Sequence, residues 1–234
     1  MHDRSALGAA DVGDDLLAAM LAELLGVDDV ELVSSYAEVV DYALPAITTG
    51  GRWWVRGTAA VDGHAHDFRL FVKQVHEWSR SPLFESVPPE VREWAAGVVP
   101  WRTEGRVYAS DLADHLPPGL AMPRALGVHD IDSCSYSVWL EVVPTVDAVW
   151  DLDRYRHAAH LLGRFAARPG IRALARIGSD EWDVRSYVDG RVGHQVLPIL
   201  ADEGVWRHPL VAGAFTDLRP RLLAAVDDLP RLTE

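Results

Sequence analysis

Apolar residues recur at three- and four-residue spacing between Asp14 and Leu25, where Leu16, Leu17, Met20, Leu21, Leu24 and Leu25 mark an amphipathic helix. Asp11 or Asp14 suits its start and Gly26 its stop. From Val30 to Tyr42 the residues are mixed but β-friendly. A loop of small residues and hydroxyls follows over Ala43 to Gly51, and RWWVRGTAAV (Arg52 to Val61) reads as a strand. Asp62-Gly63 is the dipeptide favoured in tight hairpin turns. Beyond it, HDFRLFVKQVHE (His66 to Glu77) alternates with period two, placing Phe68, Leu70 and Val72 on one face and Arg69, Phe71, Lys73 and Val75 on the other.

Four prolines (Pro82, Pro88, Pro89, Pro100) make Ser79 to Pro100 an irregular insertion, with room for a short helix over Glu90 to Ala96. Helix returns at Trp101 and runs to about His115, where Pro117-Pro118-Gly119 ends it. Trp101, Glu104, Tyr108 and Leu112 lie on one stripe of that helix, so Glu104 either meets a cation in the core or reaches water at the stripe's edge. Arg124 to Asp132 and Tyr136 to Val143 read as two more strands around a turn holding Asp132, Ser133 and Cys134. After Pro144 the pattern becomes helical, over Trp150 to Ala167 and finally over Phe215 to Val226.

Lys73 is the only lysine among 22 Lys and Arg residues. A chain otherwise committed to arginine keeps a compact ammonium mid-strand, where a planar guanidinium would differ in reach and hydrogen-bonding geometry. Its flanking neighbours on that face, Phe71 and Val75, make an unpaired charge costly, so a carboxylate or a bound phosphate is expected beside it.

With 234 residues and 49% hydrophobic content the chain can bury a sizeable core as one large domain or two small ones. The net charge of −13 argues against a surface built for nucleic acid or for an anionic membrane. The single cysteine, Cys134, permits no internal disulfide, and the N-terminus lacks a signal-peptide pattern. No apolar run approaches the roughly 18 to 20 residues of a membrane helix, so the expected location is cytoplasmic.

Strands in this order, a lysine on the third, a helix with an in-register glutamate, two further strands and then helices resemble the protein-kinase-like fold. PWRTEGRVYASDLADHLPPGLAMPRALGV, YSVWLEVVP and DRYRHAAHLLGRFAARPG, in that order, are similar to the helix, connector and hinge of the aminoglycoside phosphotransferase family. The resemblance covers about Val30 to Glu234. It implies an α+β architecture with residues 30–144 as a nucleotide-binding N-lobe, preceded by residues 1–29 as the N-terminal helix that the periodic pattern gives. That lobe has an antiparallel sheet of about five strands and one key helix. Residues 145–234 follow as the hinge and first helices of a partial C-lobe.

By the same resemblance, Lys73 would pair with the α- and β-phosphates of ATP and Glu104 would hold Lys73. Thr48, Thr49, Gly50 and Gly51 would cover the phosphates, and Glu141 and Val143 would offer backbone hydrogen bonds to the adenine edge. The loop lacks the G-x-G-x-x-G of protein kinases, and Phe71 stands where they carry a small residue against adenine. No asparagine occurs anywhere, so the Asn that kinases of this fold place on Mg²⁺ has no counterpart, and the catalytic-loop Asp and second metal-binding Asp are also unmatched. The implied function is ATP-dependent transfer of phosphate to a small hydroxyl-bearing acceptor, with this chain alone expected to be inactive and Mg²⁺ expected only where those metal ligands are supplied. The alternative is a non-catalytic nucleotide-binding or protein-interaction module on a degenerate kinase-like fold.

Other candidates are weaker. His129-Asp130-Ile131-Asp132 resembles a catalytic loop only superficially and fits a turn. His64 with His66, and His157 with His160, could each offer two nitrogens to a metal, but further ligands at suitable spacing are missing. Cys134 has no nearby basic residue in sequence to activate it.

Overall fold

The computed structural model describes residues 2–42, 46–177, 185, 188–212 and 217–232, in two compact units, 1–178 and 179–234. Together they are α+β, with a mixed six-stranded sheet in the first unit.

Helix α1, Asp14–Leu25, forms where the periodic pattern predicts it. Asp14 and Asp15 in its first turn complement the positive end of the helix dipole. Gly26 ends it at φ 70°, and the amides of Gly26 and Val27 return to the carbonyls of Glu23 and Ala22, satisfying two otherwise orphaned acceptors.

The strands are β1 (His2–Asp3), β2 (Glu31–Val39), β3 (Thr49–Val61), β4 (His64–His76), β5 (Ala125–Asp132) and β6 (Ser135–Glu141). They lie in the order β1-β2-β3-β4-β6-β5. Every neighbouring pair is antiparallel except β1 with β2. The sheet therefore has six strands and is mixed, where the sequence pattern predicts about five and antiparallel. The added strand is two residues long and has no alternation to detect. Buried Arg4 holds this end of the chain through the carboxylates of Asp11 and Asp14 at 2.8 and 2.7 Å and through the Ser35 hydroxyl of β2.

Asp62 and Gly63 turn between β3 and β4 at φ 50° and 78°, the left-handed pair that a two-residue hairpin needs. The sheet's two faces then diverge. On one, Trp53, Val55, Leu70, Val72 and Trp139 are buried in a core with Leu17, Met20 and Leu21 of α1. On the other, Val75, Tyr136, Val138 and Leu140 form a smaller core with Trp101 and Tyr108.

Short helices α2 (Arg92–Val98) and α3 (Thr103–Tyr108) connect β4 to β5. The helix expected from Trp101 to His115 is broken: α3 spans six residues, and a separate 3₁₀ turn covers Leu112–His115. Ser110 causes the break, because its hydroxyl donates to the Val107 carbonyl and accepts from the Leu112 amide, replacing the helical ladder. After β6 come α4, Leu152–Ala166, capped by the Asp151 carboxylate on the Arg154 amide, and α5, Ile171–Leu174.

The second unit is helical where described, over Val188–Val196, Leu197–Ala201, Glu203–Arg207, Pro209–Ala212 and Leu218–Asp228. Within it the Trp206 indole donates to the Leu200 carbonyl at 2.8 Å, and Arg219 meets Glu203 at 2.6 Å. No helix among the described residues is long and apolar enough to cross a membrane.

Candidate functional site

Lys73 sits on β4 between two in-register neighbours, Arg52 of β3 and Val138 of β6. Its Nζ donates to Oε2 of Glu104 at 2.6 Å, with the lysine side chain 19% and the glutamate 35% exposed. Of the two placements open to Glu104, the structure gives the one that meets a cation. The pair is neither buried nor free in water, so its net contribution lies between the small values of surface pairs and the large cost of breaking a buried one.

What aims Glu104 is the residue beside it. The Gly105 amide donates to the Tyr136 hydroxyl at 2.8 Å, and that hydroxyl donates to the Trp101 carbonyl at 2.9 Å. One phenol therefore clasps the start of α3 from below. A Cβ on Gly105 would approach the Tyr136 ring to 2.7 Å, so only glycine allows this seat. Trp101 stacks on Tyr136 with centroids 5.8 Å apart, and Arg102 covers Trp101 while donating to the Ser133 carbonyl at 2.7 Å. Burial, with a smaller contribution from Glu104, pushes the Tyr136 phenol well above its ordinary pKa, so it remains a neutral donor. Burial and Glu104 raise Tyr108 in the same direction.

The remaining predicted residues are placed less simply. Ala43, Leu44 and Pro45 of the expected phosphate cover lie outside the described residues. Thr48 is in the turn, its carbonyl accepting from the His76 amide at 2.9 Å. Thr49, Gly50 and Gly51 belong to β3, Thr49 opposite Val75 and Gly51 opposite Gln74 across a bulge. Packing explains Gly51, where a Cβ would come within 2.1 Å of the Trp53 ring, whereas one on Gly50 would meet only the movable end of Gln74 at 3.0 Å. Glu141 ends β6, with its amide on the Arg124 carbonyl at 3.0 Å and its carboxylate accepting from the Arg124 amide at 2.8 Å. Val143 lies just beyond and is exposed.

His129 and Asp130 lie on β5 itself, and Asp132 at its end accepts from Arg80 at 2.7 Å and from the Cys134 amide at 2.8 Å. This corrects the turn expected for His129 to Asp132: the segment is the end of a strand, with His129 opposite Ser137 and Asp130 opposite Tyr136 of β6, and the turn is the following Ser133-Cys134. His64 and His66 are exposed, and among the described residues no group of three His, Cys, Asp or Glu side chains is placed to hold a metal ion.

Toward β3 the face carrying Lys73 is basic and aromatic. Arg52, Trp54 and Arg56 of β3 lie opposite Lys73, Phe71 and Arg69 of β4. Trp54 meets Phe71 edge-on at 5.2 Å, and the Arg69 guanidinium lies 3.8 Å over the Trp54 ring. The Arg52 guanidinium lies 4.2 Å over Tyr42. Sequence reasoning missed Arg52, Trp54 and Tyr136, because the roles of the first two follow from cross-strand register and that of Tyr136 from its contact with α3, and none from a local motif. Beneath α3, an apolar cavity of about 440 Å³ has Glu104 on its wall with Val107, Tyr108, Met122 and Phe165.

No family model, curated protein or solved structure matches the chain.

Proposed function

We propose that the first unit is the nucleotide-binding part of an ATP-dependent small-molecule phosphotransferase of protein-kinase-like fold, similar to the aminoglycoside phosphotransferases. The observation that carries this reading is the 2.6 Å contact between the only lysine, on the third long strand, and Glu104 on the helix beside the sheet. In kinases a strand lysine held by a helix glutamate presents its ammonium to the α- and β-phosphates. Lys73 has the donors for that task, and Glu104 prevents its ammonium from folding back into apolar surroundings. The strand end at Glu141 and the exposed Val143 supply the backbone polar groups for an adenine edge.

The residues fit the phosphate and not the metal. Among those described no group of three His, Cys, Asp or Glu side chains is placed to hold a metal ion, and the sequence contains no asparagine to serve as the kinase metal ligand. No step is therefore assigned to a metal, and the chain alone binds nucleotide without transferring phosphate at a useful rate.

The test is calorimetric titration of ATP and adenosine into the wild type and Lys73→Ala. Loss of a charge-assisted phosphate contact is expected to weaken ATP by roughly tenfold or more and to leave adenosine unchanged. Equal losses for both ligands would refute the phosphate role.

The non-catalytic alternative has its own support in the wedge of Trp54, Phe71 and Arg69, which crowds the face a base would lie against. It is distinguished by adenosine: a module that has lost its base slot binds no adenosine at any concentration tested.

A further inference from the structure

The sheet face around Lys73 holds more positive charge than a lysine site requires. Arg52, Arg56, Arg69 and Lys73 form two cross-strand pairs of like charge, Arg52 with Lys73 and Arg56 with Arg69, in a chain of net charge −13. Like charges directly opposite each other across an antiparallel ladder are destabilising, so the arrangement needs an anion to justify it. Two carboxylates answer it in part: Glu38 meets Arg56 at 3.4 Å and Glu104 meets Lys73. Arg69 is stacked on Trp54. Arg52 is stacked on Tyr42, and among the described residues no carboxylate lies within ion-pair distance of it.

Arg52 is also in the right place. It lies directly opposite Lys73, so the two side chains project from the same face with their Cβ atoms about 5 Å apart. That spacing suits two cations gripping neighbouring phosphate oxygens of one chain. Arginine brings a planar fork of donors, and its charge is permanent. Stacking on the half-exposed Tyr42 holds the fork without consuming its donors in an ion pair.

Resting on the nucleotide reading above, we infer that Arg52 is a second phosphate ligand that takes the place of the divalent cation, so that the chain binds metal-free nucleoside polyphosphate. The usual metal shares the negative charge of the phosphate chain with the lysine. In this chain a guanidinium directly across the ladder from the lysine does so, and among the described residues no group of three His, Cys, Asp or Glu side chains is placed to hold a metal ion.

The experiment is titration of ATP, ADP, adenosine and inorganic tripolyphosphate into the full chain, in EDTA and separately in excess Mg²⁺. Wild type, Arg52→Ala, Arg52→Lys and Arg56→Ala are compared after circular dichroism has established their folding. The expected result is that ATP binds in EDTA at least as tightly as with Mg²⁺, because the complexed phosphate presents less charge to the two cations. Tripolyphosphate competes with ATP in EDTA. Arg52→Ala weakens ATP and tripolyphosphate by roughly ten- to a hundredfold and leaves adenosine unchanged, Arg52→Lys retains part of the affinity, and Arg56→Ala changes it less than Arg52→Ala. ATP binding that requires Mg²⁺, or an Arg52→Ala variant equal to wild type, overturns the inference while leaving the nucleotide reading intact. Absence of ATP binding in both media removes both.

Discussion

Replacing Tyr136 by phenylalanine deletes one oxygen atom and isolates what holds the candidate site together. The ring is 2% exposed and stacked on Trp101, so packing is preserved. What disappears is an acceptor for the Gly105 amide at 2.8 Å and a donor to the Trp101 carbonyl at 2.9 Å. A typical hydrogen bond contributes about 1 kcal/mol net, and a buried group left unpaired costs about 1–3 kcal/mol. The Gly105 amide is one of the orphan donors at a helix start and has no intrahelical carbonyl to turn to, whereas the Trp101 carbonyl lies nearer water. The two losses together come to about 2 kcal/mol. At roughly 2–4 °C per kcal/mol for a chain of this size, the midpoint of thermal unfolding should fall by roughly 4–8 °C. The same change frees the start of α3, so the Lys73–Glu104 contact loosens and ATP affinity drops although Tyr136 touches neither charge. Calorimetry and titration on one preparation read both effects. A variant as stable as wild type would show that the hydroxyl does not clasp α3, and normal ATP affinity in a destabilised variant would separate the clasp from the site.

Gly105→Ala gives a result whose sign is informative: helix propensity alone favours alanine by about 1 kcal/mol, but a Cβ 2.7 Å from the Tyr136 ring should destabilise by roughly 1–3 kcal/mol, and a urea denaturation midpoint above wild type would refute the close fit. Burial lowers the pKa of His76, reinforced by Arg80, and burial also lowers that of His129; the Nε2 atoms of both are enclosed without a partner among the described residues. Below the ordinary value of 6.5 the unfolded chain therefore takes up protons that the folded chain refuses, and stability is retained above that pH and lost as pH falls beneath it. Urea midpoints measured between pH 7.5 and 5 should fall with pH, less steeply in His76→Gln, and a flat profile in the wild type would count against buried neutral imidazoles.

How much of this was legible depended on whether the information was local. Helix α1 and the β3–β4 hairpin were, because a 3.6-residue stripe, a terminal glycine and an Asp-Gly turn each act within a few residues. The ion pair was legible at longer range only because each charge stood on an apolar stripe and needed the other. β1 is too short to carry a pattern, and α3 was overextended because the stripe through Leu112 continues after Ser110 has already diverted the backbone. Thr49 to Gly51 have the composition of a loop but lie in a strand, where the missing side chain of Gly51 makes room for Trp53. Arg52 and Tyr136 gave no local signal at all. Their partners are 21 and 31 residues away in sequence, respectively Lys73 across the ladder and Gly105 on the helix.

That dependence on register makes the two-residue turn at Asp62-Gly63 part of the site. Left-handed backbone at both positions fixes Val61 opposite His64, and the ladder then runs without a shift to Arg52 opposite Lys73. A slip of one residue would exchange the faces of β4. Lys73 would then point among Leu17, Leu21 and Trp139 beneath α1, where among the described residues no carboxylate is buried to meet it, and Leu70 and Val72 would emerge on the basic face. Burial of an unpaired ammonium there costs several kcal/mol, so the hydrophobic face on one side of the sheet enforces the position of the charges on the other. The placement of Lys73 beside Arg52 and below Glu104 is in this sense a product of the α1 core and of a turn ten residues away from the lysine.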